Sequence, residues 1–483
     1  MPLYTCSVEE CGNPGVRGAS CKLCIRHLCD QHLSQAFHRC PDWEREEVAW
    51  KAENERARRQ EVERLLSQLN VDALKARASA LRGGVPCRIP ILSYNKATIS
   101  EIMGGTNYHI PIEFADGGRW LCRIRRNNIT MPPSELQNHR IRNEFATLQF
   151  LASTRVPVPR VFDFGVHTPN NVVGVPYILM ERLNGRPFTW AELRPFQRTK
   201  ILQQFADVYI ELSKHPFPSI GCLLPSISSS WKVGPIVFET HADTNPYGRL
   251  LLPGPFTTST QYRRDIVQRH LELIRSHQTN PKRRLDSYLM HLFLLESFPA
   301  IANYESSTDG NFYLRHMDDK GDHILIDEDM NIVGIIDWEW AQTCPKAEAF
   351  SSTLCIISTP DYNEGNNALG VEELQFADIL QSKGALELAG YVRSSRLAHR
   401  LTQCIGSDMD DKASFSRAFK GLRQALNGAT ESSQSWPSWK RYALKKYEND
   451  QYLQEIVKSQ ADADAASQDT YDPRGTATSL NLG

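Results

Sequence analysis

Residues 311–341 read NFYLRHMDDKGDHILIDEDMNIVGIIDWEWA. An apolar run ends at His316 and Asp318, and a hairpin follows in which a turn at Glu328-Asp329 separates two apolar strands, the second ending at Asp337. Phosphoryl transfer needs two carboxylates placed in this way, because one orients the acceptor hydroxyl and the other holds Mg²⁺ on the phosphates. A single acid here would indicate only a strand-terminal turn, but the ordered set favours the catalytic interpretation.

The order of these residues resembles the catalytic segment of aminoglycoside phosphotransferases and choline-kinase-like proteins. In that segment a histidine, one residue, an aspartate, four residues and an asparagine precede a strand that ends in aspartate. The resemblance implies that His316 and Asp318 are catalytic, with Asp318 as the base, and that Asp337 binds the metal. It covers about residues 70–430 and implies an α+β, bilobal, protein-kinase-like fold, with ATP and Mg²⁺ as cofactors. A small β-rich N-lobe and a large helical C-lobe also follow from the order of strands and then helices.

One position of the catalytic segment departs from the family pattern. Asparagine is expected where His323 stands. Mg²⁺ prefers hard oxygen ligands, so an imidazole is a poor substitute. The adjacent Asp322 offers an oxygen ligand instead, and we therefore count both Asp322 and His323 as candidate cofactor-binding residues.

The cofactor-binding residues of the N-lobe are also identified by the resemblance. The strand RWLCRIR provides Arg123 where the family has a phosphate-contacting lysine, and Arg125 lies on the same face by alternation. Arginine keeps the charge and can contact phosphate through two hydrogen bonds. Glu144, in RNEFATLQFL, matches the helix acid that pairs with this cation. The alternative is an ordinary surface pair between Arg123 and Glu144, worth up to about 1 kcal/mol.

Three antiparallel strands are predicted over residues 97–125, with a hairpin turn at Asp116-Gly117-Gly118, and a helix from about Ser134 to Thr154 follows. Gly104-Gly105 could let the backbone approach nucleotide phosphates, although such a pair is more often only a turn. The resemblance places the hinge between the lobes at about Met180 to Leu183.

The first forty residues contain eight potential metal ligands, enough for two closed sites of the Cys₃His type. The ligands are Cys6, Cys11, Cys21, Cys24, Cys29, His32, His38 and Cys40. Zinc suits a set of thiolates and imidazoles, and structural zinc sites leave no open position. So short a segment has few apolar residues to bury, and the metal would supply the folding free energy, roughly 10–16 kcal/mol in small zinc peptides.

The spacing from Cys24 to Cys40 resembles the AN-one type zinc finger, whose two sites interleave. The resemblance implies the two ligand sets Cys6, Cys11, Cys29, His32 and Cys21, Cys24, His38, Cys40. Four residues rather than the usual two separate the members of the first pair, which makes the first knuckle looser. Such fingers bind proteins, so a protein partner is expected, but its identity is not readable.

The remaining text sets the domain boundaries. We expect the finger at residues 1–41, charged linker helices at 42–83, the phosphotransferase-like domain at 84–445 and a polar, partly disordered tail at 446–483. The linker contains acid–base pairs at helical spacing, and its apolar residues are sparse until Val62, so its far end should dock on the main domain. A coiled-coil partner site is the alternative, but the heptads are not sustained.

Composition limits the classes of function. The 483 residues carry a net charge of −1, which argues against a nucleic-acid or membrane-surface role. The sequence shows neither a run of about 18 apolar residues nor a signal peptide, and we expect a cytoplasmic protein. Six of the twelve cysteines lie in the first 40 residues, which in a reducing compartment indicates metal rather than disulfides.

Two functions follow as hypotheses. The first is an ATP-dependent phosphotransferase that acts on a hydroxyl of a small molecule, whose identity the sequence does not reveal. The second is a catalytically degenerate kinase-fold scaffold that binds a protein through its zinc finger, motivated by His323 and by arginine at position 123. Nucleic-acid binding by the finger has little support, because residues 1–40 balance four basic residues against three acidic ones.

Overall fold

The computed structural model describes residues 2–34, 37–96, 99–226, 231–305, 310–406, 412–427 and 435–459. The N-terminal module has little regular structure. Strands β1 (Ser20–Cys21) and β2 (Arg26–His27) form an antiparallel pair, and a single 3-10 turn follows at Asp30–His32. So short a module has a small apolar interior, as expected for a segment that metal would hold together.

Two helices connect this module to the rest of the chain. They are α1 (Glu47–Gln68) and α2 (Val71–Leu81). Asn70 caps α2, since its side chain accepts a hydrogen bond of 3.0 Å from the Ala73 amide. Val62 and Leu65, in the last turns of α1, are buried against the N-lobe sheet, while most of the helix is exposed. The prediction that the far end of this helix docks on the main domain is confirmed.

The N-lobe is a twisted antiparallel sheet with one long helix. Its elements are β3 (Cys87–Arg88), α3 (Ile99–Ile102), β4 (Asn107–Phe114), β5 (Arg119–Arg125), α4 (Ser134–Leu151), β6 (Val161–Gly165) and β7 (Tyr177–Glu181). The strands lie in the order β3-β4-β5-β7-β6. The predicted hairpin turn is confirmed, with Gly117 at φ +82° and the Gly118 amide donating to Asp116 at 3.0 Å.

The first of the three predicted strands is wrong. Residues 99–102 form the helix α3, and Ala97 and Thr98 lie outside the described residues. Ile99 and Met103 are four residues apart and both are buried, which is the spacing of one helix face rather than of a strand. The apolar residues here therefore pack with helical periodicity.

The C-lobe begins with a short strand and several helices separated by hairpins. These elements are β8 (Arg186–Pro187), α5 (Pro195–Leu212), β9 (Cys222–Leu224), β10 (Lys232–Gly234), β11 (Asp243–Thr244), β12 (Leu250–Leu251), α6 (Ser259–Arg275) and α7 (Arg284–Glu305). The catalytic segment follows as β13 (Phe312–Arg315), β14 (Ile324–Ile326), β15 (Ile332–Ile335) and β16 (Gln342–Pro345). Strands β14 and β15 pair as the predicted hairpin.

Helices then complete the C-lobe. They are α8 (Lys346–Ala349), α9 (Thr359–Asn363), α10 (Val371–Ser382), α11 (Leu386–Arg393), α12 (Arg396–Cys404), α13 (Lys412–Asn427) and α14 (Trp436–Lys446). One hydrophobic core joins α4 and β7 of the N-lobe to α5, α10 and the catalytic hairpin. The hairpin is thus anchored to both lobes, and the α+β bilobal fold expected from the sequence is confirmed.

The polar stretch after residue 446 is partly ordered. Residues 451–459 are helical, and Leu453 and Ile456 are buried in the core formed by α6, α7 and α12–α14. Their three-residue spacing places them on one helix face, and Tyr452 packs against the same core, so these side chains dock the segment. Residues 460–483 lie outside the described part of the chain. None of the helices in the described segments has the length and apolar content needed to cross a bilayer.

Candidate active site and metal centres

A cavity of about 420 Å³ lies between the N-lobe sheet and the catalytic hairpin. Such a volume is in the range of small-molecule sites. Six of the residues predicted to bind the cofactor line it, namely Gly104, Gly105, Arg123, Glu144, Met180 and Asp337. The first two come from the loop before β4, Met180 from β7 and Asp337 from the end of β15. The structure therefore brings together residues that are up to 233 positions apart in the sequence.

Behind this cavity lies a charge cluster, which we define as Arg123, Arg125, Glu144, Asp337 and Glu339. Arg123 contacts Glu144 and Asp337 directly and lies 3.8 Å from Glu339. Arg125 contacts Glu339 directly and lies 3.4 Å from Glu144. Both arginines are buried, so the alternative of an ordinary surface pair between Arg123 and Glu144 is wrong. Removing one partner from a buried pair commonly costs about 3–5 kcal/mol.

The charge cluster has three negative groups and two positive groups, and the most exposed of the negative groups, Asp337, faces the cavity. Glu144 and Glu339 are enclosed, whereas the side chain of Asp337 is 37% exposed. Burial would raise the pKa of Asp337, but the Arg123 guanidinium outweighs it and the pKa falls to about 2. Asp337 also adopts φ +66°, a left-handed conformation that ends the strand and turns the chain into the Trp338–Trp340 helix. Asp337 is therefore ionised and available to a cation.

The loop before β4 is tied to the same cluster. The hydroxyl of Thr106 donates to Glu339 at 3.0 Å, and Arg126 donates to the carbonyl of Gly105 at 2.8 Å. A Cβ added at Gly105 would meet no atom within 4 Å, so packing does not require this glycine and the loop leaves open space on that side. Nothing in the local pattern around Thr106 and Glu339 marked either residue as part of the site.

The histidines of the catalytic segment face the interior of the C-lobe. His316 donates from Nε2 to the Ile336 carbonyl at 2.9 Å and stacks on His323, with ring centroids 4.0 Å apart. Burial is the main cause that lowers the pKa of His323 to about 2, and electrostatic repulsion from the neighbouring His316 lowers it further. The imidazole of His323 is therefore neutral. His323 lines a small internal cavity with His316 and Trp338, not the cavity that contains Asp337. His323 Nδ1 lies 3.9 Å from Asp322, and neither residue lines the cavity that contains the other six candidate cofactor-binding residues.

Two of the three carboxylates in residues 316–323, those of Asp318 and Asp322, are at the surface, whereas Asp319 is buried. The side chain of Asp318 is 39% exposed, and that of Asp322 is 67% exposed. Lys320 lies between them, with Nζ 3.2 Å from Asp318 and 3.7 Å from Asp322. Burial alone would lower the pKa of Lys320, but its hydrogen bond to Asp318 raises it. The one sequence signal for this lysine is its position two residues after the predicted base.

The eight predicted metal ligands of the finger form two groups. Cys6, Cys11, Cys29 and His32 make one group, and Cys21, Cys24, His38 and Cys40 make the other. The donor atoms of each group all lie within 4.8 Å of one another, and the described part of the chain contains no further group of this kind. This grouping is the interleaved one that the finger resemblance implies.

The geometry of the first group fits zinc. The sulfurs of Cys11 and Cys29 are 3.7 Å apart, and Cys6 Sγ is 3.3 Å from His32 Nδ1. Two thiolates bound tetrahedrally at a Zn–S distance of about 2.3 Å would be about 3.8 Å apart. All twelve cysteines are described, and none of them forms a disulfide.

The fold and the cavity define a bilobal, kinase-like protein with a ligand-sized cleft between its lobes. Residues 112–348 match the profile of the APH family, described as the phosphotransferase enzyme family. Two relatives from two strains of Aspergillus fumigatus, each called subtelomeric hrmA-associated cluster protein, are 30% identical to it over 132 residues. That match covers 27% of this chain and only 25% of each relative's length.

Solved structures of small-molecule kinases are similar at low sequence identity. A thermostable mutant of aminoglycoside phosphotransferase APH(4)-Ia, in complex with AMP-PNP and hygromycin B, is 15% identical with a TM-score of 0.41, covering 74% of this chain and 99% of that one. Ethanolamine kinase from Plasmodium vivax is 12% identical with a TM-score of 0.37, covering 67% of this chain and 80% of its own.

Proposed function

We propose that this chain transfers the terminal phosphate of ATP to a hydroxyl group of a small molecule. The observation that carries the proposal is the convergence of six predicted nucleotide-binding residues on one cavity, with the ionised Asp337 facing into it. The match of residues 112–348 to the phosphotransferase family profile supports the class of reaction. The chemical identity of the acceptor stays open.

The residues at the cavity suit a magnesium nucleotide. Asp337 supplies a hard oxygen donor, and the surplus negative charge of the cluster favours a cation there. Arg123, already paired with Glu144, is placed to contact phosphate oxygens once Asp337 engages a metal. When bound, Mg²⁺ would offset phosphate charge as it develops in the transition state. Gly105 leaves the loop free to lie against the phosphates.

Asp318 is the residue we assign to the acceptor. Its exposed carboxylate can accept the proton of an incoming hydroxyl while oxygen attacks the terminal phosphorus and the bond to ADP breaks. Lys320 Nζ lies 3.2 Å from Asp318 and offsets its charge. His316 is buried beneath the loop and is held by the Ile336 carbonyl, so its role is to fix the loop rather than to meet substrate.

Thermal unfolding of the full chain tests the nucleotide half of the proposal. Mg²⁺-ATP at about 100 times its dissociation constant should add roughly 2.7 kcal/mol of stability, and ATP without Mg²⁺ should add much less. ATP consumption should then be followed with amino alcohols, sugars and amino sugars as acceptors. A melting temperature that Mg²⁺-ATP leaves unchanged would contradict the proposal.

We further propose that the finger holds two structural zinc ions, one in each Cys₃His group. Atomic absorption of the purified chain should give two zinc ions per molecule. The Cys29→Ser variant should lose zinc from the first group, while Cys87→Ser, which replaces a thiol outside the finger, should keep both ions. A zinc-free chain that folds normally would refute this assignment.

The second candidate function is a scaffold without catalytic activity that binds a protein through the finger. The burial of His323 beneath the loop favours it, because that side chain leaves the metal without its expected second ligand. A chain that binds Mg²⁺-ATP, turns over no acceptor and captures a defined protein only when zinc-loaded would fit this function. Turnover that depends on Asp318 would exclude it.

A further inference from the structure

The finger packs against the rest of the protein through its own side chains, in addition to its covalent connection through the linker helices. The hydroxyl of Tyr4 donates to the Glu239 carboxylate at 2.7 Å, and Arg17 donates to the Glu239 carbonyl. Asp30 accepts hydrogen bonds from His277 at 2.7 Å and from Arg284 at 2.9 Å. Arg17 is buried by these contacts. The surface of the finger that contacts the rest of the protein therefore forms hydrogen bonds as well as packing contacts. These directional contacts fix the orientation of the finger.

The docking residues are interleaved with the ligands of the first metal group. Tyr4 lies two residues before Cys6, and Asp30 lies between Cys29 and His32. Any metal that holds these ligands also fixes the positions of Tyr4 and Asp30. Loss of the metal would release them, because so small a module has little apolar interior to keep its shape.

Glu239, which binds the finger, also contacts helix α4. Its second carboxylate oxygen lies 3.9 Å from Nη2 of Arg140, a buried residue of α4. Nearby, Leu3 of the finger packs on a cluster that includes Leu136, one turn earlier on the same helix. The finger is thus linked to α4 through the apolar cluster on which Leu3 packs and through Glu239.

Helix α4 in turn holds the turn that contains the metal-binding acid. The guanidinium of Arg140 lies over the ring of Trp340, 4.0 Å from its centroid. Asn143 donates to the carbonyl of Ala341 at 3.1 Å, and Glu144 pairs with Arg123. Three residues of α4 therefore hold this part of the site. Arg140 and Asn143 fix the segment from Asp337 to Ala341, and Glu144 fixes the guanidinium of Arg123 beside it.

We propose that the finger is a zinc-dependent clamp on α4 and that Glu239 is the positioning residue that links it to the nucleotide site. The inference rests on the proposed phosphotransferase function. A zinc-loaded finger holds Glu239 against Arg140, and Arg140 holds Trp340 and the turn after Asp337. Zinc binding in the first group and nucleotide binding in the cleft are then thermodynamically coupled, although no nucleotide contact comes from the finger.

Calorimetric titration of the full chain with Mg²⁺-AMP-PNP tests the coupling. Removing zinc with a chelator should weaken nucleotide binding by about fivefold or more. The Glu239→Gln variant keeps an acceptor for Tyr4 and all zinc ligands but removes the charge that faces Arg140. It should retain two zinc ions, bind nucleotide more weakly, and lose little further affinity when zinc is removed.

A matched control is Glu364→Gln, which removes a carboxylate from an exposed pair with Arg417 on the helical lobe. This variant should bind nucleotide with wild-type affinity. Unchanged affinity of the wild-type chain after zinc removal would overturn the proposal. So would a loss of affinity on zinc removal that is equally large in Glu239→Gln, because the two changes would then act independently.

Hydrogen exchange without nucleotide separates this proposal from the proposed function. Zinc removal and Glu239→Gln should each raise the exchange rate of the amides in residues 134–151 and 337–341, while those of α10 stay protected. If the wild-type chain binds no nucleotide, the phosphotransferase proposal fails. The hydrogen-exchange rates alone then test whether the finger clamps α4. Exchange rates that stay unchanged in both segments would refute it.

Discussion

The two halves of the candidate active site differ in how they are held. On the nucleotide side, Arg123, Glu144 and Asp337 are fixed by a buried charge cluster and converge on one cavity. On the acceptor side, Asp318 is on an exposed loop and its nearest cation is the exposed Lys320. Buried ion pairs are costly to change one partner at a time, whereas exposed pairs contribute little. The nucleotide half is therefore the more constrained, and binding and transfer should be separable by mutation.

The largest expected effect is on the nucleotide side. Asp337→Ala removes the carboxylate that would hold Mg²⁺, so the stabilisation of roughly 2.7 kcal/mol by saturating Mg²⁺-AMP-PNP should vanish. Phosphate transfer should fall by about a thousandfold or more. Urea unfolding with and without nucleotide measures the first effect. A variant that keeps its nucleotide-dependent stabilisation would show that Asp337 is not the metal ligand.

Asp318→Asn should separate the halves. Loss of the base should lower kcat by about 10²–10⁴-fold, while the dissociation constant for Mg²⁺-AMP-PNP should change by less than about twofold. Steady-state kinetics and calorimetry on one preparation measure both quantities. Weakened nucleotide binding in this variant would mean that the loop carboxylate belongs to the nucleotide half after all.

A smaller effect is expected from His323→Asn, which restores the residue that the family pattern calls for. If metal coordination limits the reaction, turnover should rise by about tenfold, equivalent to about 1.4 kcal/mol. Loss of the stacking on His316 should lower the free energy of unfolding by about 0.5–1.5 kcal/mol. His323→Ala is the control, since it also loses the stacking but gains no oxygen donor, and its turnover should not rise.

The smallest effect concerns acid stability. Burial, together with Arg123, lowers the pKa of His109 in the cleft to about 4, and burial lowers that of His323 to about 2. Because the unfolded state takes up protons below pH 6.5, stability is fully present above that pH. It should fall toward pH 4, by up to about 1.4 kcal/mol per pH unit for each such histidine.

Urea unfolding of wild type and His109→Asn at pH 7 and pH 5.5 checks this. The variant should show the shallower dependence of unfolding free energy on pH. Equal slopes in the two proteins would mean that His109 can be protonated in the folded state. The same comparison with His323→Asn would show whether the two halves differ in their access to protons.

Local patterns predicted much of this structure. The hairpin β14–β15, the turn at Asp116-Gly117-Gly118 and helix α4 all follow from residues close together in sequence. The prediction failed at residues 99–102. A short apolar run of this kind is compatible with a strand or with a helix, and its packing partners determine which of the two forms.

The site was predictable in part, for a related reason. Arg123, Glu144 and Asp337 each lie in a segment with a recognisable pattern, and the structure brings them together. Glu339 and Thr106 could not be found this way, because their hydrogen bond joins residues 233 positions apart and neither segment shows a local sign of it. The inward orientation of His323 was also unreadable, since it depends on stacking with His316 inside the folded lobe.

The helix at residues 451–459 has a consequence for the lifetime of the protein in a cell. Leu453 and Ile456 share a core with Trp436, and the Tyr452 hydroxyl donates to the Ile274 carbonyl at 2.7 Å. A protease that trimmed the chain before residue 450 would uncover a continuous apolar surface around Trp436. Degradation machinery and chaperones recognise such surfaces. We therefore expect a single cut near the C-terminus to mark the whole molecule for removal.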